Sequence, residues 1–199
     1  MRSFLLALVF IAVSAPSHAG VPDPANSEAD ACLIACPAGD IVFHVTIRDF
    51  NNVPINNSSV VIDFCECSGV TLCPVSTTDP YQRLGPCQIQ KFTGTDGRAD
   101  FAIRAGGVCS STRTLVFADG VLIAFRNVAS PDQDGSLMVQ PADLSLASAK
   151  NGSTDPTADG QVTDADLALM APHAGHQCPP TDPTSATRRT WGGLKTIYR

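Results

Sequence analysis

Positive charge is scarce in this sequence. Its 13 Lys and Arg face 19 Asp and Glu, for a formal net charge of −6. A broad basic face for nucleic acid is therefore not expected. Catalytic fingerprints are missing as well. No G-x-S-x-G, H-E-x-x-H, Walker or dinucleotide pattern occurs, and the chain reads as non-catalytic. An LPxTG-type sorting signal is also absent. Only one run is long and apolar, "FLLALVFIAVSA" after Met1-Arg2. It is shorter than the roughly 20 residues a membrane span takes and has the length of a signal-peptide core. Ser17-His18-Ala19 offers small residues at the −3 and −1 positions, so cleavage is expected before Gly20. Residues 1–19 read as a signal peptide. The mature chain is expected to be secreted, extracellular or held at a cell surface, with no integral membrane segment.

The cysteines agree with export. All eight, Cys32, Cys36, Cys65, Cys67, Cys73, Cys87, Cys109 and Cys178, lie in the mature part and are expected in disulfides. Eight cysteines allow 105 pairings, and the spacing selects none. Cys65-Glu66-Cys67 followed by Cys73 suggests zinc by residue type, but no histidine stands nearby at finger spacing.

Residues 20–39 are polar at first and read as a leader. From Asp40 the pattern alternates. Ile41, Phe43, Val45 and Ile47 take one side of a strand, and Val42, His44, Thr46 and Arg48 take the other. Val60, Ile62 and Phe64 mark a second strand, and Phe101 and Ile103 a third. Asp119-Gly120, set between "RTLVFA" and "VLIAFRNV", is a strong hairpin signal. No sustained helical period occurs between 40 and 127, so the expected class is mainly β, built as a β-sandwich. "VTIRDFNNVPINNSSVVIDF" followed by "TDGRADFAIRAGG" resembles the bacterial immunoglobulin-like modules of secreted and surface proteins. That resemblance implies an Ig-like β-sandwich over residues 40–128 and says nothing of activity.

The acidity is concentrated further on. From Val128 to Cys178 there are seven Asp and one Lys, a local net of −6. This stretch repeats itself at an offset of 23, since Asp132 aligns with Asp155, Val139 with Val162, Asp143 with Asp166 and Gly152 with Gly175. Each copy has the oxygen pattern of a twelve-residue calcium loop, in which side chains and one backbone carbonyl fill a shell of six to eight ligands. The first copy offers Asp132, Asp134, Ser136, the carbonyl of Met138 and Asp143. The second offers Asp155, Thr157, Asp159, the carbonyl of Gln161 and Asp166. Val139 and Val162 are the expected apolar anchors. A short helix is expected after each loop, with Leu144, Leu146 and Ala147 on one apolar face and Leu167, Leu169 and Met170 on the other. Gly152 and Gly175 mark the helix ends.

A duplicated loop and helix closed by Asp resembles the type I dockerin module, here over residues 129–178. The resemblance implies two Ca2+ ions and docking onto a cohesin-like partner in a polysaccharide-degrading assembly. Leu137 and Thr157 depart from it, standing where glycine and Asn or Asp are usual.

Other constellations carry less. His173 and His176, with Cys178 beyond, have the residue types of a transition-metal site, but their place beside Gly175 favours a helix end. Asp49 and Asp63 have the residue type of a glycosidase pair, yet Asp is common at strand ends. Asn56, Asn57 and Asn151 begin glycosylation patterns. Residues 179–199 read as a Pro/Thr-rich linker and a basic tail. The expectation is a non-catalytic, calcium-binding structural or adhesive protein. The alternative is a dockerin-bearing component of a cohesin scaffold.

Overall fold

The structure is a computed structural model and describes residues 20–149 and 155–180. The expected signal peptide, the Asn151 glycosylation pattern, Gly152 and residues 181–199 of the tail lie outside the described residues. None of the helices described is long and apolar enough to cross a membrane.

The alternating segments form strands as their period demands. In chain order the strands are β1 (Glu28–Ala29), β2 (Leu33–Ile34), β3 (Val42–Thr46), β4 (Ser59–Asp63), β5 (Thr71–Leu72), β6 (Gln82–Arg83), β7 (Gln88–Phe92), β8 (Arg98–Ala102), β9 (Ala105–Gly106), β10 (Cys109–Ala118) and β11 (Val121–Ala129). Two helices follow, α1 (Pro141–Ser148) and α2 (Asp164–Met170). One sheet has six strands in the order β2-β11-β10-β4-β7-β6, a second has β1-β3-β8, and β5 pairs with β9. All pairs are antiparallel except β2 with β11.

The inward residues of these strands make the main core. Phe43, Val45, Ile47, Val60, Ile62, Ile89, Phe101, Ile103 and Val116 are fully buried together. Each such side chain contributes about 1.5–3 kcal/mol by leaving water. The β10–β11 hairpin turns where the sequence predicts. Ala118 pairs with Val121, and Asp119 and Gly120 both take positive φ, 47° and 83°. That is the primed turn whose twist suits a hairpin.

Three disulfides cross this body: Cys65–Cys87, Cys67–Cys109 and Cys73–Cys178. Cys32 and Cys36 are buried free thiols. The expectation that all eight cysteines pair is corrected accordingly. The bridges at Cys65, Cys67 and Cys73 also remove the thiolates that zinc would need there.

The larger architectural expectation is overturned. The six-stranded sheet curls as a half-barrel around the core it shares with the β1-β3-β8 sheet, instead of lying as a flat face of an immunoglobulin-like sandwich. Two features drive the curl. The β10–β11 register shifts between Cys109 and Thr114 and again between Val116 and Phe117, and such irregularities increase local bend and twist. The edge strands β2 and β6 have only two residues each, too few to extend a flat face. The polar leader is not loose either. β1 pairs with β3, β2 runs parallel to the end of β11, and Leu33, Ala35 and Cys36 are fully buried.

Among the described residues no separate helical, two-calcium dockerin module is evident. The helices have only eight and seven residues. Their buried apolar side chains, Ala147 and Met170, complete a cluster with Cys32 and Ala129 of the β body. Two residues from short helices cannot make a core of their own, so the segment packs on the sheet. Leu146 and Leu169, expected on the apolar faces, are each 48% exposed. The Cys73–Cys178 bridge and a bond from Gly107 N–H to the Asp132 carbonyl (2.6 Å) fix the segment further.

Candidate functional site

Among the described residues, two clusters of ligand-type side chains draw on the C-terminal part. The first is the acidic loop beginning at Asp132. Ser130, Asp132 and Asp143 are fully buried. The Asp132 carboxylate accepts bonds from the Leu137 N–H (2.7 Å) and the Ser136 N–H (3.1 Å). Asp134 accepts from the Ser136 N–H (2.9 Å). Asp143 accepts from the N–H groups of Gln133 (2.8 Å), Asp134 (3.2 Å) and Gln140 (2.7 Å). The result is a knot of three carboxylates whose oxygens lie within 4.8 Å of one another. Among the described residues no Lys, Arg or His forms an ion pair with any of the three.

This crowding is unfavourable for a metal-free chain. Two charges 4 Å apart repel by about 4 kcal/mol at the effective dielectric near a protein surface. Burial, then contact with Asp134 and the charge of Asp143, push the Asp132 carboxyl up to about 6. Bonds from Ser136 hold Asp134 low. Ser136 Oγ bonds the carbonyl of Met138 (3.2 Å), so both expected ligand groups sit on the same turn. The anchor Val139 is 2% exposed.

The second loop repeats the local geometry at the same offset of 23. Asp155 accepts from the N–H groups of Asp159 (3.2 Å) and Gly160 (2.8 Å), the counterparts of Ser136 and Leu137. Asp159 accepts from the Gln161 N–H (2.8 Å). Positive φ recurs too, with Gly135 (71°) and Leu137 (67°) matched by Ala158 (57°) and Gly160 (86°). Thus Leu137 adopts the left-handed turn that glycine would take. The helix starts match as well. Asp143 and Asp166 each close a capping box, with Gln140 and Thr163 as the N-caps.

The surroundings differ. Among the described residues the second loop gathers no group of three carboxylates. The Thr157 hydroxyl stands between Asp155 (3.1 Å) and Asp166 (2.9 Å). Burial raises the Asp166 carboxyl, but the bonds from Thr163 and Thr157 outweigh it and hold the group low. Asp159, Gly160 and Gln161 are exposed, and Val162 is only half-buried.

The second cluster joins distant parts of the chain, and the sequence reading found only half of it. Cys36 and Asp40 come from the turn after β2, and His173 and His176 from the turn after α2. Their ligand atoms also lie within 4.8 Å of one another. Both imidazole Nδ1 atoms face one carboxylate oxygen, Asp40 Oδ2, at 2.8 Å from His173 and 3.2 Å from His176. Cys36 Sγ stands 3.7 Å from His176 Nδ1. Burial, then its bond to Asp40, push the Cys36 thiol up to about 12. For Asp40 burial works upward, but bonds from Cys36 and the partnership with His173 hold its carboxyl low. Cys178, grouped with these histidines by sequence, is in a disulfide. The sequence reading named His173 and His176 but not Cys36 or Asp40, because nothing local says that these two turns meet.

The weaker candidates resolve into structure. Asp49 accepts from the N–H groups of Asn51 and Val53 (2.9 Å each), and Asp63 from the Cys65 N–H (2.8 Å) and the Gln88 amide (2.7 Å). Each therefore serves its own turn or sheet edge. His44, expected to face solvent, is half-buried, with Nδ1 2.7 Å from Asp100. No family model, curated protein or solved structure matches the chain.

Proposed function

We propose that this is an exported, non-catalytic structural protein whose acidic loops bind Ca2+, with Asp132, Asp134, Ser136, the Met138 carbonyl and Asp143 as the main site. One observation carries the reading. Three carboxylates, two of them fully buried, crowd together with no cationic side chain paired to them among the described residues. A hard divalent cation offsets that repulsion and suits an all-oxygen shell. Asp155, Thr157, Asp159, the Gln161 carbonyl and Asp166 form a weaker second site, because Thr157 already relieves the repulsion between its acids. Export rests on the three disulfides, which suit an oxidising compartment, and on the signal-like residues 1–19. The ion's role is to lock the C-terminal segment onto the sheet, as metal affinity becomes folding free energy. A structural or adhesive role at a cell surface fits such a device. Cohesin docking has no observation in its favour.

Calcium titration by calorimetry tests the reading, with equilibrium dialysis beside it. Uptake is expected with a Kd of about 10⁻³ M or tighter, the range of extracellular calcium modules. Absence of uptake at millimolar Ca2+ refutes the proposal.

A further inference from the structure

The cluster of Cys36, Asp40, His173 and His176 has no part in the calcium reading. Its donors are one sulfur, two imidazole nitrogens and one carboxylate oxygen. Ca2+ takes oxygen ligands, so this set selects a different ion. Thiolate and imidazole together suit Zn2+, whose structural sites hold four protein ligands in a tetrahedron.

We propose that Cys36, Asp40, His173 and His176 form a four-ligand site for zinc or a zinc-like first-row transition ion, which fastens the turn after α2 to the turn after β2. The spacing fits. With metal–sulfur, metal–nitrogen and metal–oxygen distances of about 2.0–2.3 Å, tetrahedral ligand atoms stand roughly 3.3–3.6 Å apart. The observed separations are 3.7 Å for Cys36 Sγ to His176 Nδ1, 3.2 Å for His176 Nδ1 to Asp40 Oδ2 and 2.8 Å for His173 Nδ1 to Asp40 Oδ2. Of these three, the last has to open by about half an ångström and the other two shift by about 0.1 Å.

The frame around the cluster is built to hold it. The Cys36 N–H bonds the Ile103 carbonyl (3.2 Å) and its carbonyl accepts from Gly39 N–H (2.8 Å). Gly39 takes φ +70°, and a Cβ there would stand 2.7 Å from Arg104 Cγ, so the turn that presents Asp40 requires glycine. On the other side, His176 N–H bonds the His173 carbonyl (3.0 Å), and its own carbonyl accepts from Val139 N–H (2.8 Å). Cys178, two residues on, is fixed to Cys73. Both halves are thus tied to backbone before any ion arrives, which is what a metal site needs. An entry path exists as well. A cleft of about 370 Å³, lined in part by Asp40, Ile41, Leu169 and His173, opens beside the cluster.

The test uses the full chain with its disulfides formed. Alkylation without reduction, read by mass spectrometry, should find Cys32 and Cys36 as thiols. Titration with Co2+ should give a thiolate-to-cobalt absorption band and the visible bands of tetrahedral cobalt, saturating at one ion per chain and bleached by Zn2+. Excess Ca2+ should leave the band in place, so failure of the calcium reading and failure of this one are separate results. Cys36→Ser should abolish the band. His176→Gln, at a half-exposed position, should weaken Zn2+ by at least roughly the 10- to 100-fold that loss of an outer-shell partner costs. Glu66→Gln, at an exposed turn outside both the cluster and its cleft, should change nothing. A Cys32–Cys36 disulfide, absence of the thiolate band, or a band surviving Cys36→Ser overturns the proposal. Should Cys36→Ser fail to fold, His176→Gln decides, and unchanged affinity in that variant overturns it too.

Discussion

Gly106 of β9 lies directly against Asp132, and replacing it with alanine tests how the sheet and the acidic loop are joined. A Cβ built there falls on Asp132 Oδ2 and 2.6 Å from its Cγ. Gly106 needs no left-handed backbone, so the steric conflict is the whole perturbation. Asp132 has to move and release its bonds to the N–H groups of Leu137 and Ser136. Hydrogen bonds to a charged group contribute about 1.5–3 kcal/mol each, and overpacking adds about 1–3 kcal/mol. Partial relaxation brings the net loss to about 2–4 kcal/mol. At about 2–4 °C per kcal/mol for a chain of this size, melting in chelator should fall by about 5–15 °C. Calcium affinity should fall at least about tenfold, since the displaced group is the first ligand of its loop. Gly85→Ala, whose Cβ meets nothing within 4 Å, is the control and should stay within about 0.5 kcal/mol of the parent. A melting temperature for Gly106→Ala within about 1 °C of the parent in chelator refutes the seating of Asp132 against β9.

Three further outcomes follow from the same geometry. In chelator, the raised Asp132 carboxyl keeps its proton in the folded state to higher pH than in the unfolded chain. The stability that Asp132 contributes should therefore be fully present below pH 3.8 and be lost, by up to about 2–3 kcal/mol, as pH rises through about 6, an effect that saturating Ca2+ removes; denaturant melts that rise or stay flat between those two values contradict it. Asp134, Asp40 and Asp166, whose carboxyls are held low, act in the opposite sense mainly below pH 3.8. Leu137→Val puts a β-branched residue at φ 67° and should cost about 1–2 kcal/mol, whereas Leu137→Gly should be near neutral; equal effects in urea titration contradict the left-handed assignment. Removing the Cys73–Cys178 bridge with a double Ser substitution should cost about 2–5 kcal/mol, and protease should then cut first near α1 and α2; unchanged proteolysis contradicts the tie.

Period-two alternation placed β3, β4 and β8 correctly, and Phe43, Val45, Ile62 and Phe101 are buried as their spacing requires. Asp119-Gly120 was legible because positive φ at both turn positions depends on local chemistry alone. β1 and β2 were not legible, since two residues cannot display a period. The curl of the large sheet was hidden too, because alternation reports which side is buried and not how far a sheet bends. The module boundary failed for a related reason. A loop-and-helix pattern describes the local turn, but whether it stands alone depends on how much apolar surface its helices bury. Ala147 and Met170 needed Cys32 and Ala129 from far earlier in the chain. The meeting of Cys36 with His176 spans 140 residues, and no local signal carries it.

The two acidic loops separate local code from context. Their backbones agree at an offset of 23, down to paired positive φ values and matched carboxylate-to-N–H bonds. What differs is what surrounds the acids. Asp132 is pressed against β9 and fully buried, so its charge has no water to screen it. Asp155 is half-buried and shares the Thr157 hydroxyl with Asp166. The free energy available to a cation is the repulsion it relieves, so the first loop should hold Ca2+ more tightly although the second keeps glycine at the turn. The sequence leaves the two loops unranked, since Leu137 and Thr157 each depart from the usual pattern. Burial sets the order, and two-site calorimetry on Asp132→Asn and Asp155→Asn should show the larger loss of affinity from Asp132→Asn.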